Sequence, residues 1–495
     1  MSAPATTPAR SDQARFNRRL YAPLVLGSVL NPITSTMIAV TLAPIGRYFG
    51  VSPSATTWLV SGLYLATSIG QPVVGRLVDT FGARRVFLTA TSLAGLAGLL
   101  GAFAPNLGTL IAVRIILGLA TCAGYPASIY LIRYEADRKG LENPAAALSV
   151  LSLAGQTTVV LGPTIGGLLV GLGGWRAVFA INVPLALACL ILGTLILPKE
   201  NITRSRALDL DLVGMAGFAV TVVTLLLFFT EPSTSRAYLP AVAAVAATAF
   251  ILRELRAHDP FIDVRLLHAT PGLSLVYARA LISGIFQYSF LYGFTQWLQE
   301  GAHLSASHAG LLLMPMSVLA LALTLLTGRS PQIRGKLAVG GVTQLVAAGL
   351  MLLCAPDSPI WLLIVVSLAV GIPNGLINLA NQNALYQTAP ADRTASSAGL
   401  LRTFLYFGAI ISSATNGALL GDGASTAGMH DIALVLLALA VVFAALTLLD
   451  PNLRNPTPER TPPHEPHHPR RTHRPGRHRP PAARHEHRHP APFDR

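Results

Sequence analysis

Gly75-Arg76-Leu77-Val78-Asp79-Thr80-Phe81-Gly82-Ala83-Arg84-Arg85 is a short glycine- and charge-bearing stretch set between two long apolar runs. Those runs, near 55–76 and 86–105, are each about 20 residues long, enough for a helix to cross a ~30 Å hydrocarbon layer. Composition says the same of the whole chain. Of 495 residues, 52% are hydrophobic and only 12% are Asp, Glu, Lys or Arg, too few charges to cover a soluble body of this size. The sequence is that of a polytopic membrane protein, and soluble enzyme folds are excluded.

Uncharged runs of spanning length predict fourteen helices, at about 22–45, 55–76, 86–105, 108–132, 146–171, 177–197, 212–229, 237–252, 280–298, 308–327, 337–355, 359–380, 394–419 and 431–449. The shortest is 237–252. With the N-terminus placed in the cytoplasm, the loops on that side hold twenty Lys and Arg up to residue 393, among them Arg76, Arg84, Arg85, Arg133 and Lys139. The other side holds Arg47, Arg176 and Arg236. Positive charge gathers on the cytoplasmic face, so this asymmetry predicts both termini inside, in the plasma membrane. The net charge of +14 is thereby a topology signal, with no nucleic-acid partner implied.

Gly328-Arg329 is followed seven residues later by Gly335-Lys336, an echo of Gly75-Arg76 and Gly82. The echo predicts two six-helix bundles, 20–198 and 271–450, separated by a linker with two extra helices, 199–270. Residues 1–19 are expected to form a cytoplasmic N-terminal segment, with no cleavable signal pattern apparent. Residues 451–495 contain twelve Pro, ten Arg and eight His, a composition expected to stay disordered. A solvated basic tail is expected there rather than a metal site, with contact to anionic lipid as an addition. Cys122, Cys189 and Cys354 lie apart in apolar runs and suggest neither disulfide nor metal chemistry. No cofactor is expected, and the absence of a phosphate-binding Gly-rich loop argues against an ATP-driven pump. Asn201-Ile202-Thr203 matches a glycosylation acceptor but falls in a predicted cytoplasmic loop.

The stretch Gly75–Arg85, with its G-x-L-x-D-x-x-G-x-R-R pattern, resembles the signature loop of the major facilitator superfamily. That resemblance implies a charge cluster around Gly75, Asp79, Gly82, Arg84 and Arg85 that steadies one of two transport conformations. Arg114-Ile115-Ile116-Leu117-Gly118 in the fourth span resembles the segment whose arginine the family's proton antiporters use in coupling. Gly155 and Gly162-Pro163-Thr164-Ile165-Gly166-Gly167 are similar to the antiporter motif of the drug-exporting branches, with Thr158 where a glycine is usual. Trp175–Pro184 and Pro260–Leu267 resemble segments of the fourteen-helix drug:proton antiporter family. The implied fold is an all-α membrane protein of the major facilitator type. The implied function is efflux of an amphiphilic drug or secondary metabolite by alternating access, with protons as the coupling ion.

One departure bears on coupling. The acidic residue that the branch usually carries in its first span falls on Thr34, and none of the 22 acids lies inside a predicted span. A proton relay needs a titratable group exposed to each side in turn. Asp79, Glu300 or a partner of Arg114 remain as candidates. Asn31, Thr34, Tyr125, Gln156, Gln287, Tyr288, Gln296, Asn374 and Asn378 are expected to offer neutral hydrogen bonds, in the cavity or between helices, which suits a neutral or anionic small-molecule substrate. Arg279 and Arg402 are expected to snorkel to the cytoplasmic interface. Uptake of a neutral or anionic nutrient stays open as an alternative, as does a non-transporting receptor or scaffold of the same fold.

The topology is checked by reporter fusions. A fusion within the Asp79 stretch should report the cytoplasmic side, and the untagged chain should leave the membrane fraction only in detergent. An external reporter at Asp79 would overturn the assignment.

Overall fold

The computed structural model describes residues 18–453 apart from 140–144, 200–210, 231–233, 258–259, 261–264, 266–269, 329, 331, 390–393, 422 and 451–452. The terminal segments, the Pro/Arg/His-rich tail, Asn201 and most of Pro260–Leu267 thus fall outside the described residues. The described chain is helical throughout, with no strand.

The first predicted span is a broken rod: α1 (Tyr21–Met37), a 3-10 turn at Ile38–Val40, then α2 (Leu42–Phe49). A short α3 (Pro53–Thr56) leads into α4 (Trp58–Phe81). The signature stretch was expected as a loop, but the chain there is helical up to Phe81 and from Ala83 onward. Its only break is Gly82, at φ 89°, between α4 and α5 (Ala83–Ala102). A positive φ of that size suits glycine, which lacks the Cβ that would clash. The fourth span divides into α6 (Leu107–Thr121) and α7 (Gly124–Arg138). The fifth and the start of the sixth run together as α8 (Ala145–Ala180), kinked at Gly173 and Gly174, where Gly174 has φ 68°.

Then come α9 (Asn182–Ile196), α10 (Leu212–Thr230) and α11 (Leu239–Glu254). The next span is α12 (Pro271–Ser289), continued by one π-helical turn at Phe290–Phe294 into α13 (Thr295–Glu300). The remaining helices are α14 (Ala306–Leu312), α15 (Met314–Thr327), α16 (Ile333–Met351), α17 (Ile360–Thr388), α18 (Thr394–Leu420) and α19 (Thr426–Leu449). Helix therefore occupies each predicted segment. Eight helices among the described residues are long and apolar enough to cross a membrane, or nine if the bent pair 153–180 is one span. Several helices outrun their predicted limits, α7 and α17 by about two turns. Charge marks where a helix leaves lipid, whereas its own hydrogen bonds carry it further.

Side chains are distributed for lipid. Beyond Phe87, the buried face of α5 is small (Thr91, Ala94, Ala97, Gly98, Gly101), while Leu93, Leu96, Leu99 and Leu100 are exposed. In water this order would be inverted. In a bilayer it lets helices approach and leaves the large apolar groups to the acyl chains. The first nine helices pack chiefly among themselves, as do α12–α19, while α10 pairs with α11 and lies against α18.

Two sets of charges within this body are paired. Arg279 on α12 was expected to reach the interface; instead it is 1% exposed and its Nη1 donates to Asp450 Oδ2 at 2.7 Å, with Asp450 equally buried. Sequence reading could not see this pair, because Asp450 closes α19, 171 residues away. Arg253 on α11 ties the two linker helices by bonding Asp211 at the start of α10, and it also bonds its own neighbour Glu254. Burial pushes the Asp211 carboxyl up, but the Gly214 amide and the Arg253 guanidinium outweigh it and hold the group below the usual carboxylate range.

The helices before residue 197 meet those after 270 at close quarters along α8. A Cβ on Gly167 would stand 2.7 Å from the Ala306 carbonyl oxygen, and one on Gly310 would stand 2.6 Å from that of Pro163. Neither carbonyl can retreat without moving a helix. Gly167→Ala should therefore lower stability by about 1–3 kcal/mol through overpacking. Gly349→Ala, where a Cβ meets nothing within 4 Å, should be neutral or stabilising by up to ~1 kcal/mol. Thermal melting in detergent compares the two, and equal melting temperatures would refute this account of the contact.

Candidate functional site: a cavity closed at one end

Pro32 lies within α1 and Pro373 within α17, and each removes one backbone N–H from its helix's hydrogen-bond ladder. Gly371 and Gly375 bring α17 onto α15, where an added Cβ would come within 2.5 Å of the Met316 and Ala320 carbonyl oxygens. Between these helices and α4, α7, α8, α12 and α18 lies a cavity of about 250 Å³. Its wall includes Asn31, Gln71, Tyr125, Gln287, Tyr288, Asn374, Asn378, Gln382, Arg402 and Tyr406, together with apolar groups such as Leu291, Met316 and Leu405. Among the described lining residues the sole charge is Arg402, and no carboxylate is present.

The expected residues divide. Asn31, Tyr125, Gln287, Asn374 and Asn378 line the cavity. Asn31 Nδ2 also donates to Thr121 Oγ1 at 2.9 Å. Thr34 and Arg114, expected at the cavity, are instead in the packed layer beside it. Thr34 Oγ1 donates to Asn182 Oδ1 at 2.8 Å, and Arg114, 1% exposed, donates from Nη1 to Thr34 O and from Nε to Leu59 O, each at 2.9 Å. The guanidinium on α6 thus clamps α1 to α4 through these two backbone carbonyls. Gln296 is buried and donates to Thr56 Oγ1 at 3.1 Å. The side chains of Asp79 and Gln156 lie outside the described residues, although their backbone is helical. Gly75 has open space around it, and Arg85 is exposed. Arg84 Nη2 donates to Thr194 O at 2.7 Å, near the C-terminal end of α9, where carbonyls lack helical partners. Lys336, the cation beside the echoing Gly335, likewise donates to Thr327 O at the end of α15 and to Ser330 O beyond it.

Gly162, Gly166, Gly167 and Pro163 form the contact face of α8. A Cβ on Gly162 would fall 1.8 Å from Thr36 Oγ1, and one on Gly166 2.8 Å from Met37 O. Around Gly167, Ser307 Oγ donates to the Gly167 carbonyl at 2.8 Å and Thr164 Oγ1 to that of Gly310 at 3.1 Å.

These bonds belong to a seal between the early and late helices. Tyr292 OH donates to Ser35 O at 2.9 Å, which commits its proton, so Tyr64 OH is the donor in the 3.1 Å contact with Tyr292. Ser413 Oγ donates to Thr57 O at 2.8 Å. The π turn at Phe290–Phe294 brings Tyr292 to this seal; an extra residue in a helical turn re-aims the side chains on either side. Tyr64 and the cavity-lining Gln71 share α4 about two turns apart, so the cavity lies on the Gly82 side of the seal. Within the cavity the contact across is of another kind: the Arg402 guanidinium carbon sits 4.2 Å over the Tyr125 ring centroid.

Arg402 was expected to snorkel and does not. Gln71, Gln382 and Tyr406 were not foreseen at all. For Gln382 the signal existed: Asn374, Asn378 and Gln382 follow one another at intervals of four, one face of a helix.

An all-helical membrane body around a cavity sealed at one end is the architecture of a secondary transporter. Residues 24–413 match the Major Facilitator Superfamily, and the chain belongs to it. It is 33% identical over 442 residues to the uncharacterised MFS-type transporter YwoD of Bacillus subtilis, covering 85% of this chain and 95% of that one. It is also 27% identical over 440 residues to the methylenomycin A resistance protein of Bacillus subtilis, covering 86% and 92%. Among solved structures, the peptide transporter POT aligns with a TM-score of 0.64 at 14% identity, over 89% of this chain and 96% of that one. This likeness carries the fold.

Tyr292→Phe removes two hydroxyl contacts across the seal at once. It should weaken the closed end by about 1 kcal/mol, shifting the closed-to-open ratio roughly fivefold. Distance distributions between spin labels on α3 and α18 read this shift. An unchanged distribution would show that the pair does not hold the seal.

Proposed function

We propose that the chain exports an amphiphilic small molecule across the plasma membrane by alternating access. In this reading two six-helix bundles rock about the cavity, fourteen helices span the bilayer, and both termini are cytoplasmic. One observation carries it: hydrogen bonds seal the cavity on one side, while its amide- and tyrosine-lined wall extends to the Gly82 side. That is the arrangement of a carrier loaded from the side of the signature stretch. The excess of Lys and Arg in the signature-side loops supports a cytoplasmic assignment for that side.

Export is favoured over uptake by the likeness to the methylenomycin A resistance protein and by the Gly162–Gly167 segment. The mixed apolar and amide lining fits an amphiphile rather than a sugar-like solute, which needs hydrogen bonds on most of its surface. Proton drive belongs to the proposal on the strength of the glycine–proline segment alone. Lipid and the transported molecule are the partners, with anionic lipid for the basic tail.

Inside-out vesicles test the whole. With the interior acidified, the full-length protein should accumulate an amphiphilic dye, and an ionophore that collapses the pH gradient should release it. A chain ending at Asp450 should keep most of that flux; its loss on truncation would favour the scaffold reading. Accumulation unaffected by the gradient would remove proton drive while leaving transport.

A further inference from the structure

Arg114, Arg279 and Arg402 each lie inside a long helix. A guanidinium in such a place needs a partner, because the surroundings do not solvate it. Arg114 has the carbonyls of Thr34 and Leu59, and Arg279 has Asp450. Arg402 differs from both. It makes no ion pair among the described residues, it lines the cavity, and its charge rests on the face of Tyr125 with the neutral Tyr406 hydroxyl as its hydrogen-bonding neighbour.

A ring face is a weak partner for a guanidinium, since it offers no lone pair to the five N–H donors. A carboxylate or sulfonate accepts two of those donors side by side. The other polar groups of the wall, Asn374, Asn378, Gln382, Gln71 and Gln287, are neutral and cannot sort ligands by charge. Beside Arg402 stands a cluster of tyrosines tilted against one another: Tyr64 has ring centroids 5.1 Å from Tyr288 and 5.4 Å from Tyr406. Of these, Tyr288 and Tyr406 face the cavity.

We propose that Arg402 is the recognition group for an anionic aromatic amphiphile, whose acidic group displaces the Tyr125 ring as the partner of the guanidinium. The aromatic body then lies against Tyr288 and Tyr406. An organic cation is rejected at the same point, since no carboxylate in the described wall offsets the Arg402 charge. Occupancy also releases the contact between α18 and α7, so the loaded carrier has lost one tie across its cavity. This rests on the transport reading and narrows its substrate class.

Three probes of one shape test it with the full-length protein in nanodiscs: 2-naphthoate, 2-naphthamide and 2-naphthylmethylammonium. The wild type should bind naphthoate about tenfold or more tightly than the ammonium probe, with naphthamide between them. Arg402→Gln should erase that preference, with naphthoate binding falling by far more than naphthamide binding. Arg402→Lys, which keeps the charge and loses the fork, should keep the order of preference with weaker naphthoate binding. Melting temperatures of both variants confirm folding. Naphthoate lost in phosphatidylglycerol discs but not in phosphatidylcholine discs would assign the same anion site to a lipid headgroup. Equal or tighter binding of the ammonium probe, or preference surviving in Arg402→Gln, overturns the proposal. If dye still moves in the vesicle assay, transport stands while this inference falls. Binding of none of the three overturns it as well.

Discussion

Inside a bilayer a polar group has no water to fall back on, and this constraint arranges the rest of the molecule. Serine and threonine hydroxyls along the helices turn back to carbonyls of their own chain, as Thr67, Thr91 and Ser128 do. Larger groups reach across. Arg279 finds Asp450, Arg114 finds the carbonyls of two other helices, and Tyr64 and Tyr292 pass a hydrogen bond on to Ser35. Such bonds are modest in sum for folding, but breaking one inside lipid leaves a donor with nothing to meet. They therefore act as discrete catches between helices, made or unmade, and a carrier that alternates between two shapes needs contacts of that kind.

Glycine supplies the complementary condition. The seal works only because α8 and α14 approach until backbone nearly touches backbone at Gly167 and Gly310. A surface with no side chains to interlock can part and re-form with little rotamer cost. Closeness at the seal, and amides and tyrosines at the cavity, thus divide the labour along one set of helices.

Much of this was legible in the sequence. Runs of apolar residues located the long helices among the described residues, because lipid imposes a length and tolerates few charges. The glycine and proline positions announced where helices meet, although not whom they meet. The cavity was half legible. Asn31, Tyr125, Gln287, Asn374 and Asn378 stood out as polar groups in apolar runs. Thr34 stood out equally and turned out to hold Asn182, because a hydroxyl in a helix looks alike whether it faces a void or a neighbour. Arginines were the hardest. Position along a helix cannot separate a side chain that climbs to the interface from one that finds an aspartate 171 residues on or a ring across a cavity. Those outcomes depend on pairings between distant segments, which a single sequence does not display.

The π turn at Phe290–Phe294 sets two jobs at an angle to one another on a single helix. Gln287 and Tyr288, before and beside it, look into the cavity, while Gln296 and Trp297, after it, serve the sealed end. One residue more or less in that turn rotates everything beyond it by about 100°. The phase of this helix is therefore a dimension of the machine in its own right. Were the turn to relax into regular α-helix during the transport cycle, cavity wall and seal would change partners in a single twist, with no helix having to tilt.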